Sequence, residues 1–199
     1  MDEKQLRQAG KALPPVPEDL MLALADRAEA DGLVDISYGE MDSPLGPLLL
    51  AVTDLGLVTL AYTDYAPDTL EHLARRLSPR ILRRPARTDD ARRQLDEYFD
   101  RRRRDFDMPL DWSLIRGFGR QVLEVTAAIP YGQVSTYQKV AGGAGNPRAS
   151  RAAGNALGNN PIPIVIPCHR VLRSGGGLGG YTSGIERKQV LLDLEGMGR

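Results

Sequence analysis

Two textures divide this chain of 199 residues, and the divide limits what it can fold into. Residues 36–62 read as strands: Ile36–Met41, a turn over residues 42–46, residues 47–53, a turn at Asp54-Leu55-Gly56, and residues 57–62 closing a hairpin. From Phe118 onward the pattern becomes helical and is punctuated by glycine and proline. A helix over residues 118–129 sets Val122, Leu123, Val125 and Ala128 along one side, and Pro130-Tyr131-Gly132 stops it. Ser135 or Thr136 caps a short helix over residues 137–141, and the glycine-rich stretch 142–147 turns into a second over 148–157, a helix-turn-helix pattern. A last helix, 186–195, ends at Gly196. Between the textures lie helices at 66–77 and 90–101 and a candidate linker at 106–112. The expected fold class is therefore α+β: a small sheet-and-helix domain over 35–108, then a mainly helical domain over 109–199. Residues 1–34 read as an extension in which Pro14-Pro15-Val16-Pro17 breaks the chain and one helix, 20–30, closes at Gly32.

The formal net charge of zero hides an asymmetry. Residues 114–199 carry ten Lys/Arg against four Asp/Glu, and the remainder carries sixteen against twenty-two. No carboxylate interrupts the 61 residues between Glu124 and Glu186, which contain Lys139, Arg148, Arg151, Arg170 and Arg173. A face without acids suits a polyanion, with nucleic acid the first candidate. By contrast, the arginines of residues 83–104 alternate with Asp89, Asp90, Asp96, Glu97 and Asp100, as on a solvated helix. The polar start and the lack of any long apolar run point to the cytoplasm, with no membrane partner. With one cysteine and two histidines, neither a disulfide framework nor a metal site is expected, and no cofactor is implied.

That one cysteine is the chemical focus. Cys168 ends the apolar run 161–166 within Pro167-Cys168-His169-Arg170. A thiol beside an imidazole and a guanidinium is placed to ionise, and the thiolate is the nucleophile. The alternative is a small core residue at the end of a buried strand. Glycines at 175–177, 179, 180 and 184 suit close approach of backbone to a flat ligand. Glu195 follows the apolar side of the last helix, where a buried carboxylate needs a partner; an imidazole would serve. Small residues at Ser150, Ala152, Ala153, Gly154 and Ala156 let the second helix of the pair approach something closely, either a ligand or another helix.

Taken together, Ile129-Pro130-Tyr131-Gly132, Ser135-Thr136-Tyr137, Arg151-Ala152-Ala153-Gly154-Asn155-Ala156, Asn160-Pro161, Ile166-Pro167-Cys168-His169-Arg170-Val171, Gly180-Tyr181 and Leu191-Leu192 with Glu195-Gly196 closely resemble the O6-alkylguanine–DNA alkyltransferase family. Ser43-Pro44-Leu45-Gly46-Pro47-Leu48 resembles the start of its N-terminal domain, so the likeness spans about residues 36–196. It implies a ribonuclease H-like N-terminal domain and direct repair of DNA. Cys168 would take the alkyl group from O6 of guanine and be consumed, since thioethers do not hydrolyse. His169 would act as base through a water, Glu195 would hold the imidazole, Asn160 would order the reactive turn, and Tyr137 would donate to the guanine ring. The carbonyls of Cys168 and Val171 would read the exocyclic amine, the Thr182 N–H would face O6, and Tyr181 and Leu157 would wall the pocket. The second helix would enter the minor groove with Ser150, Ala152 and Gly154, and Arg151 would fill the stack vacated by the flipped nucleotide.

The implied partner is double-stranded DNA bearing O6-alkylguanine, with O4-alkylthymine a further candidate lesion, and the protein is expected to act as a monomer. Two departures stand out. Ser183 replaces a common glycine, which questions tolerance of bulky alkyl groups, and Leu123 or Val190 stands where tryptophan is frequent. The zinc-binding cysteines of some relatives are absent. Two other functions remain in play at this point: a lesion-binding protein that transfers nothing, opposed by the presence of Cys168, and a cysteine hydrolase using Cys168, His169 and Glu195.

Overall fold

The computed structural model describes residues 17–198, which fall into two compact units divided after Val34. Of the N-terminal extension it contains helix α1, Glu18–Ala30; most of the proline breaker lies outside the described residues.

The second unit begins with a four-stranded sheet in the order β3-β2-β1-β4. Strands β1 (Ile36–Met41), β2 (Leu48–Thr53) and β3 (Gly56–Tyr62) run antiparallel, as the hairpin pattern predicts. β4 (Ile81–Arg83) adds a parallel edge beside β1, and the sequence reading missed it. β2 is buried on both faces because the sheet is covered on both. Ala51, Ile36 and Val58 pack on Leu73 of α2 (Ala66–Arg76), while Leu48, Leu50 and Val52 face the larger core shared with the helical part. The acids of α3 (Asp89–Phe99) pair with neighbouring arginines, as in Arg92–Asp89 and Arg93–Glu97, so that stretch is a solvated face.

Residues 106–112 form a fastening. Leu57 N–H donates to Pro109 O and Asp111 N–H to Leu57 O, both at 2.9 Å, and the Thr53 hydroxyl donates to the Asp111 carboxylate at 2.6 Å. The backbones come so close that a Cβ on Gly56 would lie 2.2 Å from Pro109 O, so glycine is required there on steric grounds.

Helix α4 (Gly117–Ala127) then packs with α5 (Tyr137–Gly143) and α6 (Ser150–Gly158), the helix-turn-helix pair. Thr136 caps α5 by accepting from Lys139 N–H at 3.2 Å. Two short parallel strands, β5 (Ser135–Thr136) and β6 (Val171–Leu172), tie the start of α5 to the reactive segment. Helix α7 (Ile185–Leu194) closes the unit. The fold is thus a mixed α+β arrangement of a small sheet part followed by a helical part. No helix among the described residues is long and apolar enough to cross a membrane.

Candidate active site

The run 161–166 is a tight buried loop rather than a strand. Asn160 spans it: its Oδ1 accepts from Ile162 N–H at 3.0 Å and its Nδ2 donates to Ile166 O at 2.8 Å. Ile164 sits at φ 74, a left-handed conformation strongly disfavoured for a β-branched residue, held here by complete burial of Ile162, Ile164 and Ile166. Cys168–Arg170 then make a single 3₁₀ turn, in which successive side chains point about 120° apart. Adjacent residues therefore part company. Cys168 lines a cleft, whereas His169 and Arg170 turn inward to Glu195.

Glu195 collects donors from three segments. Its Oε1 lies 3.0 Å from His169 Nε2, 2.8 Å from Arg170 Nη2 and 2.8 Å from the Tyr98 hydroxyl. Its Oε2 accepts from Arg170 Nε at 3.0 Å and from Gly132 N–H at 3.2 Å. Burial alone would raise this carboxyl, but the hydrogen bonds from His169 and Arg170 overcome it and hold the group at about 2. An ionised carboxylate only accepts, which assigns the shared proton to His169 Nε2. Burial also lowers the His169 pKa, favouring the neutral ring. Its Nδ1 then presents a lone pair, and this buried atom has no hydrogen-bond partner among the described residues. The imidazole is thus oriented as a base by the carboxylate behind it.

Burial pushes the Cys168 thiol up, offset in part by a hydrogen bond from Asn160 and by the charge of Lys188. The guanidinium that sequence adjacency places beside the thiol is engaged elsewhere: Arg170 binds Glu195, donates to Ile129 O and lies over the Tyr131 ring. Lys188 supplies the cation instead. It is fully buried on α7 and donates from Nζ to Val171 O at 2.7 Å. The sequence held a signal for it, because residues 188, 191, 192 and 195 share one helical face, so Lys188 stands in the apolar stripe. Tyr98 carries no such signal, lying 97 residues from Glu195 in sequence.

The cleft in front of Cys168 has a volume of about 1140 Å³. It brings together Tyr137, Asn160, Cys168, Tyr181, Thr182 and Leu157, and along α6 it is bordered by Ser150, Arg151 and Gly154. Its far side comes from the sheet part, including Tyr62, Tyr65 and His72, which sequence reasoning did not assign. Val171 is outside the lining, fully buried, with its carbonyl already accepting from Lys188. Ala152 is also outside it and points to solvent. The Thr182 hydroxyl donates to Gly158 O at 2.7 Å, pinning the glycine-rich loop to the end of α6. A Cβ on Gly154 would sit 3.7 Å from the Tyr137 ring, an ordinary contact, so packing within the protein does not demand glycine there. Of the five cations in the acid-free stretch, Lys139, Arg148, Arg151 and Arg173 are exposed and Arg170 alone is buried. Among the described residues, no group of three or more His, Cys, Asp or Glu is placed to hold a metal ion.

Comparison with known proteins bears on this arrangement. Residues 36–112 match the ribonuclease-like domain of 6-O-methylguanine DNA methyltransferase, and residues 117–197 match its DNA binding domain. The methylated-DNA–protein-cysteine methyltransferase of Mycobacterium tuberculosis is 38% identical over 171 residues, covering 80% of this chain and 92% of that protein. That of Methanosarcina barkeri is 39% identical over 158 residues, covering 79% and 96%. Among solved structures, M. tuberculosis OGT in complex with DNA aligns with a TM-score of 0.68 at 38% identity, covering 80% of this chain and 92% of that one. The O6-methylguanine-DNA methyltransferase of the hyperthermophilic archaeon Pyrococcus kodakaraensis aligns with a TM-score of 0.58 at 27% identity, covering 81% and 99%.

Proposed function

The chain belongs to the 6-O-methylguanine DNA methyltransferase family, and on that premise we propose that Cys168 is the residue that takes the alkyl group. The activity is that of a methylated-DNA–protein-cysteine methyltransferase, direct-reversal repair with DNA as partner. A lesion binder that transfers nothing is not favoured, since relatives matching most of the chain are named as methyltransferases. The observation that carries the assignment to Cys168 is its place on the cleft wall, on the same turn as His169, whose ring Glu195 orients.

The thiol proton passes by way of a water to His169 Nδ1, whose ring Glu195 steadies as positive charge develops. The sulfur attacks the alkyl carbon of O6-alkylguanine, the S–C bond forms and the C–O6 bond breaks. The electron pair of that bond leaves with guanine, which recovers its keto form by taking a proton at N1. The balance is thiol plus O6-methylguanine giving S-methylcysteine plus guanine, once per protein molecule. Tyr137, at the cleft edge, donates to the guanine ring as charge builds there. The Cys168 carbonyl reads the exocyclic amine, the Thr182 N–H faces O6, and Tyr181 and Leu157 hold the ring; the Val171 carbonyl, outside the cleft and bonded to Lys188, takes no part. The target atom lies within a base stack, so the nucleotide is flipped out. Ser150 and Gly154, one turn apart, and Ala152 on the solvent side are the small residues with which α6 enters the minor groove, and Arg151 occupies the vacated stack. The protein acts as a monomer on O6-alkylguanine in duplex DNA.

Intact mass after incubation with a duplex carrying one O6-methylguanine tests this. One added methyl group, localised to Cys168 and saturating at one per protein, is expected. Lesion-DNA binding without any gain in mass would refute it.

A further inference from the structure

The site contains a buried cation that the transfer scheme does not use. Lys188 has no solvent exposure, and its ammonium donates to the carbonyl of Val171, the residue that follows the turn carrying Cys168. An ammonium has three N–H donors, and this carbonyl is its one described acceptor. Burial of so poorly solvated a charge is unfavourable unless an opposite charge accompanies it, and an apolar side chain on the 188/191/192 stripe would pack without that penalty. Glu195, the buried carboxylate of the site, is not the companion, because it is saturated by His169, Arg170, Tyr98 and Gly132, and Cys168 is the group that acts on the Lys188 charge.

The groups facing Cys168 narrow the choice. They are Lys188 from α7, His169 from its own turn, the amide of Asn160, and the phenols of Tyr62 from β3 and Tyr181 from the glycine-rich loop. The phenols are neutral, burial favours neutral His169, and Arg170 is committed to Glu195. Lys188 alone among them brings a fixed positive charge. Burial lowers its own pKa to about 8, and the neighbouring Cys168 opposes that fall, so each group assists the other's charged form.

We propose that Lys188 is a positioning residue for the transfer: its ammonium, tethered to the Val171 carbonyl, is the fixed charge against which the Cys168 thiolate forms. The inference rests on Cys168 being the alkyl acceptor. Lys188 keeps its proton throughout, and the thiol proton leaves for the base described above. When sulfur bonds to the alkyl carbon, its negative charge departs with guanine, and Lys188 is left facing a neutral thioether. The alkylated protein therefore contains a buried ammonium that has lost its companion.

Two variants and one DNA-free assay test this. The rate at which Cys168 reacts with iodoacetamide is followed against pH in the parent, Lys188→Met and Lys188→Arg. In Lys188→Met the thiol inflection is expected to rise by about one unit, so the rate at neutral pH falls about tenfold and converges with the parent at high pH. Lys188→Arg retains most of the parent profile. An unchanged inflection in folded Lys188→Met overturns the proposal. Should that variant fail to fold, the parent protein answers: the Lys188 ammonium is titrated by NMR with Cys168 free and after S-methylation with methyl iodide. A lower Lys188 pKa in the methylated protein is expected, and identical titrations overturn the proposal. If iodoacetamide reactivity follows Lys188 while methyl transfer from DNA is absent in the parent, the fault lies in the acceptor role of Cys168.

Discussion

Replacing Glu195 with glutamine removes the charge on which the site is organised, and the structure sets the size of the effect. Oε1 and Oε2 accept from five donor groups of His169, Arg170, Tyr98 and Gly132 at 2.8–3.2 Å, counting Nη2 and Nε of Arg170 separately. Against burial, which raises it, the bonds and charges of His169 and Arg170 hold the carboxyl at about 2, against an ordinary value of 4.5. At 1.36 kcal/mol per unit, that difference corresponds to about 3 kcal/mol of folding stability. A second route agrees: Arg170, 5% exposed, would be left as a buried charge without its counter-ion, a loss of roughly 3–5 kcal/mol. The folded pKa lies below the unfolded one, so this stabilisation is complete above about pH 4.5 and disappears as pH falls toward 2. Urea unfolding should show Glu195→Gln about 3 kcal/mol less stable than the parent at neutral pH, with the gap closing in acid. Adding Arg170→Met should recover much of the loss, because the stranded charge goes with it. A neutral-pH loss below about 1 kcal/mol, or a gap that stays constant into acid, would refute the reasoning.

Other perturbations separate packing from chemistry. A Cβ on Gly179 would lie 2.6 Å from the Tyr137 hydroxyl at a backbone φ of 75, so Gly179→Ala should lower stability by about 1–2 kcal/mol and slow methyl transfer by displacing that ring; an unchanged single-turnover rate would count against a role for Tyr137. Gly154→Ala makes only an ordinary contact with the same ring and gains about 1 kcal/mol of helix propensity, so it should fold at least as well as the parent, with any defect confined to DNA affinity in a gel-shift titration. Arg151→Ala should reduce affinity for lesion duplex while leaving iodoacetamide reactivity of Cys168 intact. Because the folded pKa of Lys188 is about 8 against 10.5, its burial subtracts stability below pH 8, and the deficit is relieved as pH rises toward 10.5. Lys188→Met should therefore be about 2 kcal/mol more stable at neutral pH, after allowing about 1 kcal/mol for the lost bond to Val171, and calorimetry should show the advantage shrinking above pH 8.

What the amino-acid sequence determined by itself was whatever depends on neighbours along the chain. The hairpin 47–62, the helices and the Thr136 cap follow from periodicities of two and 3.6 and from local hydrogen bonding, and all of them are present. The motif residues around Cys168 were legible for a similar reason, since they lie close together in the chain. Three-residue β4 was not, because only the open edge of β1 makes it a strand. Nor was the loop 161–166, whose apolar run suits a strand equally well until Asn160 closes it and the core fixes Ile164 at positive φ. Tertiary structure alone decided which charges meet. The 3₁₀ turn separates Arg170 from the thiol beside it, Lys188 reaches the turn from α7, and Tyr98 reaches Glu195 from the sheet part. Electrostatic and hydrogen-bond energies depend on distance and burial, and neither is a property of separation along the chain.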